Sequence, residues 1–280
     1  MKIIRKIKAL RSQIQSLRQR NKTIGFVPTM GALHEGHLSL IRAAGKQNDI
    51  VVVSIFVNPS QFGPQEDFKK YPRDIKRDAA LCKSAGVDIV FYPDAGEMYP
   101  QDYRTYVTVE GLSNVLCGAS RPVHFKGVAT IVTRLLNIVS PDAAYFGQKD
   151  AQQAIIIKRV VCDLNIPVKI KVMPTLREKD GLALSSRNMY LIPQERKDAV
   201  ILFKALETAK KLVKNGQRDA GVIIRSIKAM MQTKKSARID YVSIVDTQDL
   251  KPVDRIKKGA LIALAVWIGK TRLIDNLCID

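Results

Sequence analysis

Cysteine is scarce in this chain and widely scattered. Cys82, Cys117, Cys162 and Cys278 are 4 residues in 280, with neither a C-x-x-C pair nor the spacing of a disulfide framework, so reduced thiols are expected. Long apolar runs are missing too. Residues 260–267 form one of the most hydrophobic stretches, yet they reach only strand length, well under the roughly 20 residues a membrane helix needs. The first ten residues carry Lys2, Arg5, Lys6 and Lys8 without a sustained apolar segment or a small-residue cleavage site, which excludes a secretory signal from the reading. A cytoplasmic location without a membrane span is the resulting expectation. Acidic residues are also in short supply, 26 against 46 Lys and Arg, leaving a formal charge of +20.

Such a charge attracts polyanions without regard to sequence and suits a phosphate-bearing substrate equally well. Residues 1–22 contain eight basic and no acidic side chains. Within them Ile7, Leu10, Ile14 and Leu17 recur at helical spacing, as in a packed helix with a solvated basic face. Charge alone therefore does not predict a specific nucleic-acid partner. With 46% hydrophobic residues the chain can bury a substantial core, and its length exceeds that at which single cores usually divide.

Up to about residue 175, apolar β-rich runs alternate with helical patterns. Strands are predicted at 23–27, 50–57, 88–92, 143–146 and 168–172, and helices at 37–44, 75–85, 128–139 and 152–163. The alternation implies an α/β, Rossmann-like, doubly wound parallel sheet. Beyond it, helices at 193–214 and 220–233 and strands at 240–246 and 260–267 predict a smaller α+β unit. We therefore expect domains at 1–175 and 176–280, linked by a segment in which Lys179, Asp180 and Gly181 favour a turn free to move.

Four motifs carry chemistry. Pro28-Thr29-Met30-Gly31-Ala32-Leu33-His34-Glu35-Gly36-His37 follows a strand and opens a helix, where backbone N–H groups and the helix dipole favour anions. Its glycines would let phosphate approach the backbone, and two of the chain's three histidines could share one face and donate to phosphate oxygens. The spacing is i, i+3, not the i, i+4 of a zinc-binding H-E-x-x-H helix. Gly269-Lys270-Thr271 lacks the upstream glycine of a P-loop, since Leu264 stands there. The second motif, Gly147-Gln148-Lys149-Asp150, continues through Gln152 and Gln153, with Lys149 at a helix start. The third is Leu184-Ser185-Ser186-Arg187-Asn188, whose hydroxyls and guanidinium suit either phosphate or local capping. In the fourth, Asn58-Pro59-Ser60-Gln61, the amides can read a carboxylate and a hydroxyl, or stabilise their own loop.

In their order along the chain the four motifs resemble the pantoate–β-alanine ligase family, within the superfamily of HxGH nucleotidyltransferases. The resemblance extends to Glu66-Asp67, Tyr71-Pro72-Arg73, Ser120-Arg121-Pro122, His124-Phe125 and the closing stretch from Arg272 to Asn276. It implies ATP-dependent condensation of pantoate with β-alanine through an acyl adenylate, with Mg²⁺, in a homodimer. By that resemblance residues 30–37 contact ATP, and His37, with His34, Lys149 and Arg187, serves catalysis. Residues 147–150, Leu176 and residues 184–187 would complete the ATP site, with the smaller domain closing over it. Gln61, Gln153 and Asn58 would hold substrate, Gln61 lying also near β-alanine. Cys117, where glutamate is expected, and Val123 depart from the pattern at positions that match no substrate contact. The rival readings are an adenylyltransferase that stops after nucleotidyl transfer, and a basic RNA-binding protein.

Overall fold

The computed structural model describes residues 1–64 and 66–279. They form two compact units, one of Met1–Asn114, Gly118–Gly147 and Gln152–Pro174, the other of Val115–Cys117, Gln148–Ala151 and Thr175–Asp280.

In the first unit the chain runs β1 (Lys2–Ile4), α1 (Ile7–Gln19), β2 (Ile24–Thr29), α2 (Glu35–Gln47), β3 (Ile50–Ile55) and α3 (Ile75–Ser84). It continues through β4 (Ile89–Phe91), α4 (Ala95–Met98), α5 (Cys117–Ser120), α6 (His124–Val139), β5 (Ala143–Gly147), α7 (Ala151–Asp163) and β6 (Lys169–Met173). The strands make one sheet in the order β1-β4-β3-β2-β5-β6, and every neighbouring pair is parallel. Central strands β2 and β3 are buried along almost their whole length. Their uninterrupted apolar runs follow from a parallel sheet covered on both faces. Val27, Val51, Val53 and Ile55 pack with Leu38 and Ile41 of α2 into one of its cores.

From β2 the chain steps outward through β3 and β4, and β5 then lies on the other side of β2. The winding therefore reverses between β2 and β5, and ligands of such sheets bind beyond the carboxyl ends of the strands at that reversal. The glycine- and histidine-bearing loop leaves one of these ends, and the Gln148-Lys149 turn follows the other. Strand β1, not expected from the sequence, adds a short outer edge paired with β4.

The second unit consists of α8 (Pro193–Ala199), α9 (Ile201–Lys214), α10 (Ala220–Gln232) and the antiparallel strands β7 (Ala237–Asp246), β8 (Ala260–Ile268) and β9 (Thr271–Ile279). Leu202, Ala205 and Leu206 of α9 and Ile223 and Ile227 of α10 share a core with Ile262, Leu264 and Val266 of β8. The single helix expected over 193–214 is two, separated at Val200. Among the described residues, no helix is long and apolar enough to cross a membrane.

Two aspartates pin the opening of β2 in the first unit. Asp142 accepts the Ile24 N–H at 2.6 Å and pairs with Arg18 of α1 at 2.7 Å. Asp49 accepts from the backbone N–H and the hydroxyl of Thr23 at 2.9 and 2.8 Å. Those two bonds, with Lys22 assisting, pull the Asp49 carboxyl down to about 2. An unfolded aspartate titrates near 3.9, so Asp49 contributes stability that is complete above that value and is lost as pH falls towards 2. Denaturant titrations of the wild type and Asp49→Ala are expected to differ near neutral pH, with the gap narrowing between pH 4 and 2. A gap independent of pH would refute this account.

Candidate active site

The loop between β2 and α2 is shaped from behind by a residue that no motif contains. Asp78, on α3 and only 2% exposed, accepts the backbone N–H of Ala32 at 2.8 Å and of Leu33 at 2.9 Å. Burial pushes this carboxyl above its ordinary value, against the opposing pull of those two N–H groups and of Arg77. Gly31 and Ala32 both have left-handed backbone, at φ of 83° and 50°. A Cβ on Gly31 would sit 2.9 Å from Asp78 Oδ2. Glycine is thus required here for the approach of a carboxylate as well as for the turn.

His34 caps α2 rather than lying within it. Its Nδ1 accepts the Gly36 N–H at 3.1 Å, while Nδ1 of His37 accepts the His34 N–H at 3.4 Å, a reciprocal capping box made by two imidazoles. The ring centroids are 4.2 Å apart. With Nδ1 accepting, a neutral ring carries its proton on Nε2, which becomes a donor on each histidine. The rings are paired, and four backbone amides of the loop are engaged within the protein. The amides of Ala32 and Leu33 serve Asp78, and those of His34 and Gly36 serve the histidines. Glu35, at the first helical position, is paired outward with Arg42 at 2.5 Å.

Beyond β3, the loop bearing Gln61 is held by α6. Gly127 of that helix comes so close that an added Cβ would lie 2.4 Å from Ser60 O and 2.5 Å from Gln61 N. His124 Nδ1 lies 3.0 Å from Gln61 O. Glu66 forms an ion pair with Arg121. Gln61 is buried, with Nε2 2.9 Å from Met30 Sδ. Asn58, 1% exposed, gives Nδ2 to Gln61 Oε1 and to Gly127 O, both at 3.1 Å. Its Oδ1 accepts from the Ser60 hydroxyl at 2.9 Å and from Tyr99 at 2.7 Å. The sequence points to Asn58 as a substrate contact, but both ends of its amide are engaged within the protein, and its place is behind Gln61. Gln153 is half-buried in the first turn of α7.

In the second unit the turn carrying Lys149 is fastened by β9. Asn276 Nδ2 donates to the carbonyls of Gln148 and Lys149, each at 2.9 Å, and its Oδ1 accepts from Gln148 Nε2 at 3.0 Å. Gln148, expected at ATP, thus spends its amide on Asn276 and Cys278, leaving Lys149 as the turn's cation, beside exposed Asp150.

Residues 176–184 fold back on themselves, with Leu184 N–H donating to Leu176 O at 3.0 Å. The turn expected to move freely is tied down within its unit. Arg177 grips Asp275 with bonds of 2.6 and 2.9 Å, Asp180 pairs with Arg196 at 2.8 Å, and Phe203 packs against Gly181. Ser185 caps the helical turn that follows, accepting the Arg187 N–H at 3.2 Å. Ser185, Ser186 and Arg187 are all half-buried.

Comparison with known proteins identifies the family. The family model for pantoate-beta-alanine ligase matches residues 2–278. The chain belongs to that family. It is 57% identical to pantothenate synthetase of Moorella thermoacetica over all of this chain and 99% of the relative. Pantothenate synthetase of Thermus thermophilus has a solved structure that superposes with a TM-score of 0.94 at 44% identity, covering 99% of each chain. A further solved relative, pantoate-beta-alanine ligase of Francisella tularensis complexed with beta-gamma ATP and β-alanine, gives 0.81 at 37% identity over 99% of this chain and 97% of its own. Membership makes the chain a carbon–nitrogen ligase that joins pantoate to β-alanine. Among the described residues no group of three or more His, Cys, Asp or Glu side chains could hold a metal ion.

Asp78 is the residue on which the family loop turns here. Asp78→Ala would leave the Ala32 and Leu33 amides buried without partners, at a cost of about 1–3 kcal/mol each, and would release His34. Turnover is expected to fall roughly 10²-fold, the scale of a misplaced catalytic group, with a lower melting temperature. Wild-type turnover in a destabilised Asp78→Ala protein would show that Asp78 supports the fold and not the site.

Proposed function

We propose that the chain makes pantothenate in two steps. The pantoate carboxylate attacks the α-phosphorus of ATP. A new P–O bond forms, the bond to the β-phosphate oxygen breaks, and pyrophosphate leaves. The β-alanine amine then attacks the acyl carbon of the pantoyl adenylate, the bond to AMP breaks, and the amine's protons pass to solvent. The first nucleophile is already an anion, so no side-chain nucleophile is required. Position and charge neutralisation are the protein's contribution.

The observation that carries this reading is the histidine pair, whose shared cap turns Nε2 of both rings into donors of fixed tautomer. His34 and His37 bind the phosphates, with His37 at the reacting group. Lys149 and Arg187 neutralise charge on the leaving pyrophosphate, and the hydroxyls of Ser185 and Ser186 add donors. Met30, Gly31, Ala32, Leu33, Glu35, Gly36, Gly147, Asp150, Leu176 and Leu184 line the nucleotide site, and Gln61 and Gln153 hold pantoate. Binding of beta-gamma ATP and β-alanine by the Francisella relative supports ATP and β-alanine as ligands here. Mg²⁺ would enter as the counter-ion of ATP and would supply positive charge against the leaving pyrophosphate, in keeping with the reluctance of this ion to occupy all-protein cages. The enzyme acts in the cytoplasm as a homodimer, as the family resemblance implies, without a specific nucleic-acid partner.

The test measures AMP and pyrophosphate from ATP and Mg²⁺ with pantoate and β-alanine supplied singly and together. AMP release is expected only with both. His37→Ala should lower kcat by about 10²–10³, the usual effect of losing one such donor. Pyrophosphate release with no AMP on adding β-alanine would point to a different acceptor, and no turnover with any combination would overturn the reading.

A further inference from the structure

Gln61 can bind an oxygen of pantoate as a donor only if its amide is turned with Nε2 outward, and an isolated glutamine has no reason to prefer that orientation over its flip. Here the choice is made three residues back. Asn58 Nδ2 donates to Gln61 Oε1, so that oxygen is occupied inside the protein and Nε2 is left facing Met30 Sδ, a weak acceptor that a substrate oxygen readily replaces. The orientation of Asn58 is in turn set from two sides. Gly127 O accepts from Nδ2, and Oδ1 accepts from Tyr99 OH at 2.7 Å, in a triangle closed by Ser60 Oγ, which lies 2.9 Å from both.

Tyr99 stands in none of the motifs and follows α4 directly. Its ring packs against Phe56 and Tyr103. Burial pushes its phenol above the ordinary value, so near neutral pH the hydroxyl keeps its proton and remains a donor. From these contacts we propose that Tyr99 is a positioning residue for pantoate: through Asn58 it fixes the amide of Gln61 with Nε2 presented to a substrate oxygen. This rests on the assignment of Gln61 to pantoate. It adds that recognition of the hydroxy acid is controlled by a residue that does not touch it. A flipped Gln61 would offer a carbonyl instead and would repel a carboxylate.

A double-mutant cycle separates this role from a structural one. Tyr99→Phe deletes one oxygen and keeps the ring contacts. Its KM for pantoate is expected to rise roughly three- to tenfold, the scale of one hydrogen bond, with KM for ATP unchanged. In a Gln61→Ala background, where KM for pantoate is already raised, Tyr99→Phe should add nothing. An equal further rise in that background would mean that Tyr99 acts through general packing, and would overturn the relay. A raised KM in Gln61→Ala beside a wild-type Tyr99→Phe would overturn the relay alone, whereas an unchanged KM in Gln61→Ala would overturn the assignment of Gln61 itself.

Discussion

A single buried carboxylate determines the shape of the glycine-bearing loop that leads into α2. Two consecutive residues with left-handed backbone, Gly31 and Ala32, would be an unfavourable path for a chain without support. Asp78 supplies that support by taking two amides in succession, and the chain emerges aimed at the cap of α2. The arrangement changes what the loop can be used for. A glycine-bearing turn at the start of a helix usually offers its backbone to phosphate. Here four of its amides are bound by the protein's own carboxylate and imidazoles.

The parallel sheet was legible because both of its faces are covered, which makes β2, β3 and β5 read as apolar runs without ambiguity. Strand β1 was not, since three residues with two exposed side chains leave no pattern to detect. Strand β9 was hidden for a different reason. Arg272, Asp275 and Asn276 interrupt its apolar character, and each does so for a partner elsewhere in its unit: Asp240, Arg177 and the Gln148 turn. A strand that spends three of its positions on such clamps resembles a loop when read in isolation.

The same logic divides the candidate site. Gly31, His34, His37 and Gln61 stand in compact motifs and could be singled out from spacing and chemistry. Asp78, Tyr99 and Asn276 could not. An aspartate in an amphipathic helix reads as solvated, and nothing local ties Asp78 to amides 45 and 46 residues earlier in the chain. Asn58 and Gln148 were visible as amides at candidate ligand-bearing turns, and the fold also uses them to brace their neighbours. A motif thus marks where recognition occurs without distinguishing the side chain that touches the ligand from the one that holds it in place.

The closeness of Gly127 to the Gln61 loop has a mechanical meaning. Ordinarily a helix and a loop are separated by side chains that can change rotamer and absorb small displacements. Between α6 and residues 60 and 61 there is no such cushion, because backbone bears on backbone. The helix acts as a rigid strut, and any shift along its axis is delivered undamped to the main chain of the residue assigned to pantoate. The position of the Gln61 main chain is thereby linked to the packing of a sixteen-residue helix, most of whose side chains are buried.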